Sequence, residues 1–391
     1  MKFQTIYFVA GEVSADNHGA ALMRSLRELD GELNFVGRGG PQMQEVAGES
    51  AMGRIAGGGQ FKNWIGEAAV LGLWEVLRKY GYFRRQFHET LREIRESKPD
   101  AVVLIDYPGF NLRLARALRR HAPQQKIIYY ISPQVWAWNS GRIKRMAHFI
   151  DLVLCIFPFE VDLYNQAGLR ASFVGHPMIE RLCARKIDTE RDRNLIGIFP
   201  GSRSREVRKI LPVMLEAARE LRKHTSNLRF EVAAASEQLA REMKPAIAGL
   251  DQSQKREAIQ IKIDETAAIM QHAWAGIIAS GSATLEAAFF RLPFVLIYKV
   301  AWPTYVAARL VVNVKYLGMP NLLADKEVVP EFIQHRAKPN AIVEALQPLI
   351  ENANARERMI SEFDAMVPRL GDIGASEKAA RAIIEEIEGA N

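Results

Sequence analysis

Residues 101–110 read Ala101-Val-Val-Leu-Ile-Asp-Tyr-Pro-Gly-Phe110. Five apolar residues in a row predict a strand buried on both faces, as a parallel sheet requires. A parallel strand cannot turn straight back on itself and needs a crossover. Pro108 and Gly109 force the turn that starts one, and Asn111–His121 reads as a strongly basic helix. Strand, turn and helix recur on both sides of this stretch. Thr5–Ala10 predicts a strand and Asn17–Leu29 a helix, with Ala20, Leu22, Met23 and Leu26 at helical spacing. Lys126–Ile131, Leu152–Ile156 and Ala171–Val174 predict three more strands. The first half is therefore expected to be a doubly wound parallel sheet.

A second series begins near Leu195. Strands are expected over Ile196–Phe199, Phe230–Ala233, Ile259–Ile263, Ala275–Ala279 and Phe294–Tyr298. Helices are expected over Glu206–His224, Thr266–His272 and Ala283–Phe290, with Asp264 as the N-cap of the second. Three helices close the chain: Ile342–Ile350, Arg356–Met366 and Ser376–Ile387. The expected fold is α/β: two doubly wound Rossmann-like domains, 1–175 and 176–350, facing across a cleft, with C-terminal helices over 351–391. The join falls at His176-Pro177, and the cleft is the expected ligand site.

The chain has 391 residues, enough for two domains, and its 48% hydrophobic and 25% charged residues suit a globular core. Cys155 and Cys183 form no disulfide framework and lack metal-ligand spacing, which points to thiols in a reducing compartment. The run Ile6–Ala10 is too short, and too soon followed by Glu12 and Asp16, for a signal peptide. Ala267–Tyr298 is broken by Glu286 and Arg291, so it reads as strands around a helix and not as a membrane span. A cytosolic protein, or one on the cytosolic face of a membrane, is expected. The formal net charge is +7, and residues 1–175 carry 22 of the 52 basic but only 17 of the 45 acidic residues. Such a bias suits nucleic acid, anionic lipid or a phosphorylated substrate. No nucleic-acid-binding signature accompanies it, so no nucleic-acid partner is expected.

Several strings stand where a strand hands over to a loop or helix. Gly11-Glu-Val-Ser-Ala-Asp-Asn-His-Gly19 follows the first strand and opens a helix, where backbone amides favour an anion, or where Ser14 or Asp16 simply caps the helix. Asp106 ends its strand at the mouth of the expected cleft, where it suits a general base or a cap of the next helix. Ser132-Pro-Gln-Val-Trp-Ala-Trp138 brings Trp136 and Trp138 to the same region, as flat surfaces for sugar or lipid or as core. His176 reads as a ligand group or a hinge residue. In Pro200-Gly-Ser-Arg203, Gly201 lets the backbone approach a ligand, Ser202 can cap the helix, and Arg203 can neutralise phosphate charge. Ser280, Gly281 and Ser282 open another helix, whose start suits a phosphate, and Glu286 one turn on suits ribose hydroxyls. Between Val70 and His88, Leu73, Trp74 and Leu77 share an apolar helical face and Arg78 and Lys79 flank it. That stretch fits an anionic bilayer, or a core-facing helix with a solvated basic side.

Taken together these strings resemble the lipid-A-disaccharide synthase family, inverting glycosyltransferases of GT-B type. The resemblance covers nearly the whole chain. It also includes Val70-Leu-Gly-Leu-Trp-Glu-Val-Leu77, Phe157-Pro-Phe-Glu160, Gly175-His-Pro177 and Pro320-Asn-Leu-Leu323. Ser-Pro-Gln-Val-Trp-Ala-Trp is close to a signature of the family; the other strings alone indicate only a GT-B enzyme. The first loop departs from the family at Ala15, where a second glycine is usual.

The resemblance implies transfer of 2,3-diacylglucosamine from its UDP derivative to 2,3-diacylglucosamine 1-phosphate (lipid X), giving a β-1,6 disaccharide and UDP. It implies Asp106 as general base, sets Glu12, Ser14, Asp16, Trp136, Trp138 and His176 on the acceptor side, and places Glu286 and Asn321 on the nucleotide side. It implies contact with the cytoplasmic face of the inner membrane, self-association as a homodimer, and C-terminal helices that cross back onto the first domain. No Asp-x-Asp stands at a strand end, so neither metal nor other cofactor is expected. The nearest rivals are a transferase with another lipid-linked acceptor and a UDP-sugar epimerase, though an epimerase has no use for a membrane-facing face. Replacing Leu73, Trp74 and Leu77 with Ser is expected to release the protein from anionic liposomes in a sedimentation assay. Unchanged liposome binding with loss of folding assigns that face to the core instead.

Overall fold

The structure is a computed structural model that describes residues 4–48, 61–68, 80–134, 141–248, 259–302, 305 and 314–389. Leu73, Trp74, Leu77, Arg78, Lys79, Trp136 and Trp138 lie outside the described residues. The chain divides into two compact units, one of Met1–Pro177 with Leu370–Asn391, the other of Met178–Arg369.

The first unit is built on seven strands: β1 (Thr5–Ala10), β2 (Asn34–Gly39), β3 (Lys62–Asn63), β4 (Ala101–Ile105), β5 (Lys126–Tyr130), β6 (Leu152–Cys155) and β7 (Ala171–Phe173). They lie in the order β3-β2-β1-β4-β5-β6-β7, and each neighbouring pair is parallel. The order reverses direction between β1 and β4, the switch point of a doubly wound sheet. Alternate residues sort to the two faces. Tyr7, Val9, Val102, Leu104, Ile127 and Tyr129 share one buried cluster with Ile94 of the helix Tyr80–Ser97 and Leu114, Ala115 and Leu118 of the helix Pro108–His121. The helix Val13–Leu29 packs against the last helix, Ala375–Glu388, which itself packs on β5. Glu386 anchors that last helix, accepting from Lys126 Nζ at 2.9 Å and Arg170 Nη2 at 2.6 Å. Each large apolar side chain buried this way contributes about 1.5–3 kcal/mol.

The sequence pattern does not mark β2, because Gly37, Arg38 and Gly39 interrupt its apolar run. Arg38 is nevertheless 1% exposed. Its guanidinium meets Glu93 through Nε at 2.9 Å and Nη2 at 2.7 Å, and reaches Glu89 and Gln86 on the same helix. Glu93 also accepts from Tyr7 Oη at 2.7 Å and from Lys62 Nζ at 2.6 Å. One carboxylate thus ties β1, β2 and β3 to the helix Tyr80–Ser97. Hydrogen bonds from Arg38, Lys62 and Tyr7 outweigh burial and hold the Glu93 carboxyl down at about 2.

The second unit has six strands: β8 (Asp192–Phe199), β9 (Arg229–Ala234), β10 (Ile259–Ile263), β11 (Ala273–Ala279), β12 (Phe294–Tyr298) and β13 (Glu331–Ile333). Their order is β10-β9-β8-β11-β12-β13, again parallel throughout. The helices Ser204–His224 and Pro339–Glu351 pack together beside this sheet. Two expected caps are corrected. The helix Thr266–His272 has Glu265 at its N-cap, and Asp264 instead takes φ +59 at the end of β10. Arg203, not Ser202, is the N-cap of Ser204–His224, and it caps with backbone alone. Among the described residues, no helix is long and apolar enough to cross a membrane.

Arg38→Met leaves Glu93 without its guanidinium, and is expected to lower stability by about 3 kcal/mol in urea unfolding. Adding Glu93→Gln is expected to recover more than half, because no uncompensated carboxylate then remains. A free glutamate titrates near 4.3. Glu93 therefore stabilises above about pH 4.5, and that contribution is lost as pH falls toward 2. The double variant is expected to lack this part of the acid transition.

Candidate active site

The turn after β4 is tightly constrained. Asp106 and Tyr107 sit consecutively at φ +45 and +51. Such left-handed residues cost on the order of 1–3 kcal/mol each unless their surroundings over-determine them. Here they do. Asp106 N–H donates to Tyr130 O at 3.0 Å, at the end of β5. The Asp106 carbonyl accepts from Asn111 Nδ2 at 2.8 Å and from Tyr129 Oη. Pro108 then starts the helix Pro108–His121, with Tyr107 as N-cap and the Tyr107 carbonyl accepting from Asn111 N–H at 3.0 Å.

Gly11, at the end of β1, faces this turn. A Cβ there would stand 2.4 Å from the Tyr107 ring, so only glycine lets the two loops meet. Trp64 closes the other side. Its Nε1 donates to Ala10 O at 2.6 Å, and its ring meets Tyr107 and Phe110 edge-on at 6.2 and 5.1 Å. Burial lifts the Asp106 carboxyl to about 6; the Glu12 charge adds to this and a hydrogen bond with the Tyr107 backbone opposes it. Burial, with Glu12 and Tyr82, likewise pushes the Tyr107 hydroxyl up to about 12.

The other acceptor-side candidates fare differently. Glu12 is the backbone N-cap of the helix Val13–Leu29, and both Glu12 and Ser14 are exposed beside the turn. Asp16 is 2% exposed. Its carboxylate accepts from Gly40 N at 2.9 Å, Gln42 N at 3.1 Å and Met43 N at 3.0 Å. Those amides start the helix Pro41–Gly48, so Asp16 caps a neighbouring helix and not its own. His176 follows β7. Its amide donates to Leu370 O at 2.7 Å, tying the chain that leaves this unit to the chain that returns, and its ring meets Phe157 edge-on at 5.3 Å.

In the second unit the candidate residues also follow strands. Gly201, at φ +102 after β8, and exposed Ser202 lead into the helix Ser204–His224. Arg203 is exposed, with Nη1 3.1 Å from Glu206. After β11, Ser280 N–H donates to Ile297 O of β12 at 2.8 Å, and space is open around Gly281. Ser282 is the N-cap of the helix Ala283–Phe289 without a side-chain cap bond. Glu286 is 9% exposed and accepts from Arg181 Nη2 at 2.8 Å. Asn321 is fully buried. Its Oδ1 accepts from Val328 N and Val329 N, both at 2.8 Å, and its Nδ2 donates to Val329 O at 2.7 Å and Glu331 Oε1 at 2.9 Å. The amide has no capacity left for a ligand, so what this loop offers one is a braced backbone.

The sequence reading missed Trp64, Tyr107, Asn111, Tyr129 and Arg181. Tyr107 and Asn111 follow Asp106 closely and could have been found as the residues that an Asp-Tyr-Pro-Gly turn needs. Trp64, Tyr129 and Arg181 meet their partners across 54, 23 and 105 residues and carry no local signal.

Two wholly parallel doubly wound sheets, with candidate loops at the carboxyl ends of their strands and a helical C-terminus, define an α/β protein of GT-B type, as expected. Solved structures agree on the fold. A UDP-GlcNAc 2-epimerase from Neisseria meningitidis superposes with a TM-score of 0.61 at 13% identity, over 98% of this chain and 100% of its own. A calicheamicin glycosyltransferase does so with 0.56 at 13%, over 100% of both. Sequence relatives decide the family. The lipid-A-disaccharide synthase of Geobacter sulfurreducens is 36% identical over 390 residues, 97% of this chain and 96% of its own. That of Coxiella burnetii is 33% identical over 392 residues, 98% of each. The lipid-A-disaccharide synthetase family matches residues 6–382, and the chain belongs to it. It is a hexosyltransferase of lipid A disaccharide synthesis.

A carboxyl lifted to about 6 has a measurable signature in activity and in stability. kcat/KM is expected to fall tenfold per pH unit below about 6 in the wild type. The folded state keeps the Asp106 proton to higher pH than the unfolded chain, so ionisation of Asp106 weakens the fold as pH rises from about 4 to 6. Asp106→Asn is therefore expected to abolish turnover and yet to gain about 1–3 kcal/mol of stability at pH 8. Loss of stability together with activity would make the residue structural.

Proposed function

We propose that the enzyme transfers 2,3-diacylglucosamine from UDP-2,3-diacylglucosamine to the 6-hydroxyl of 2,3-diacylglucosamine 1-phosphate, with inversion at the anomeric carbon. The observation that carries this reading is Asp106, a carboxylate on a strained turn at the end of β4 whose proton affinity burial has raised to about 6. Above that pH it is ionised, yet it is a stronger base than an ordinary aspartate. It accepts the hydroxyl proton as the acceptor oxygen bonds to the anomeric carbon. The bond from that carbon to the diphosphate oxygen breaks on the opposite side, and UDP leaves with the electron pair. One base suffices when the charge on the leaving diphosphate is stabilised.

That stabilisation falls to the second unit. Gly201 and Arg203 offer close backbone approach and an exposed guanidinium. Ser280, Gly281 and Ser282 add an open helix start, and Glu286, oriented by Arg181, suits the ribose hydroxyls. A Staphylococcus aureus protein of the same fold, solved with UDP, superposes with a TM-score of 0.62 at 14% identity, which is consistent with a uridine nucleotide here. The acylated substrates call for a membrane surface, and the sequence pattern of Leu73, Trp74 and Leu77 with Arg78 and Lys79 supports contact with the cytoplasmic side of the inner membrane.

Incubating the protein with both acylated substrates in detergent and chelator, and following products by mass, is expected to give UDP and disaccharide in equal amounts, with a β linkage by NMR. UDP binding without disaccharide would remove the acceptor assignment and leave the scaffold reading standing.

A further inference from the structure

The first unit carries a groove that the chemistry above does not use. It has a volume of about 570 Å³ and lies between the helix Pro108–His121 and residues 142–149. That helix contains no acidic residue. Its Arg113, Arg116 and Arg120 stand three and four residues apart, so they share one face. Arg145 lines the opposite wall. Among the described residues, none of these four guanidinium groups is ion-paired to a carboxylate, whereas Arg119 on the same helix is paired with Asp151 at 2.6 Å. Like charges at this spacing destabilise a helix. An anion in the groove would relieve that repulsion.

The floor and the mouth narrow the choice of anion. Leu112 and Phe149 line the groove with apolar surface, which free phosphate does not need and an acylated molecule does. Pro108 and Gly109 line it too, two and three residues beyond Asp106. One end of the groove therefore adjoins the turn that carries Asp106. Arginine forks match the oxygens of a phosphate monoester in pairs, which ammonium groups do not. We propose that this groove binds the phosphate monoester of the acceptor glycolipid, with Arg113 and Arg116 as specificity-determining residues. The inference rests on the acceptor assigned above and names the part of the enzyme that selects it.

The test compares binding of 2,3-diacylglucosamine 1-phosphate and of its 1-hydroxy analogue in neutral detergent, without donor, to the full chain and to Arg113→Gln/Arg116→Gln. Both positions are exposed and glutamine is as good a helix former, so the variant is expected to fold. The wild type is expected to prefer the phosphorylated ligand by about tenfold or more, the value of one charge-assisted bond. The variant is expected to lose that preference, and in turnover to raise KM for the acceptor with KM for the UDP donor within about twofold. Lys144→Gln, which removes an exposed charge outside the groove, is expected to change neither.

Unchanged acceptor binding in the arginine variant would overturn the proposal. So would equal weakening for both ligands, an equal effect of Lys144→Gln, or an effect seen only on vesicles of anionic phospholipid, which would make the groove a bilayer contact. Arginine-dependent, phosphate-dependent binding with no disaccharide formed would sink the proposed reaction and keep the groove. Disaccharide formation with arginine-independent binding would sink the groove alone.

Discussion

A wholly parallel sheet imposes one constraint from which the candidate site follows: every strand must end at the same edge. In the first unit β4 lies between β1 and β5, with Ile105 in register with both Ala10 and Tyr130. The three chains therefore leave the sheet side by side. Glu12, Asp106 and Ser132 become neighbours although they are widely separated in sequence. The second sheet repeats the arrangement, with Gly201 after β8 and Ser280 after β11. The strained turn at Asp106 depends on this crowding, because its hydrogen bonds come from the adjacent β5 and the helix that follows.

Burial treats the acidic residues in two ways. Asp16 receives three backbone amides, and Glu331 receives two together with the Asn321 side chain. Glu93 receives Arg38, Lys62 and Tyr7, and Glu386 receives Lys126 and Arg170. Each has donors on its carboxylate oxygens and serves as a fastening. Asp106 is also largely buried, but among the described residues the Tyr107 backbone alone favours its ionised form, while Glu12 adds a like charge. A buried carboxylate with so few donors holds its proton more tightly, and this separates a base from a structural acid.

Much of the fold was legible because its signal is local. The apolar run of β4, the helical spacing after β1 and the punctuation at Pro108-Gly109 all lie within one element. Strand β2 was not legible. Gly37 is required there because a Cβ would come 2.1 Å from Phe8 O, and Arg38 is tolerated only because Glu93 lies 55 residues onward. The cap assignments of Ser202 and Asp264 failed for a related reason. A cap is defined by where the helix begins, and boundaries depend on packing against the sheet. Asn321 was reached only through the family resemblance, as a nucleotide-side residue, and its use as a brace for the loop before β13 depends on Val328, Val329 and Glu331 all closing around it.

By itself the sequence determined the fold class, the family and the strand-end position of Asp106, since periodicity and short strings of residues suffice for each. Only the tertiary structure decided which carboxylates are fastenings, how tightly Asp106 holds its proton, and that arginines from two separate segments line one groove. Those properties belong to distances between residues far apart in the chain. A local pattern cannot encode them, because the electrostatics of a side chain are set by whatever folding places around it.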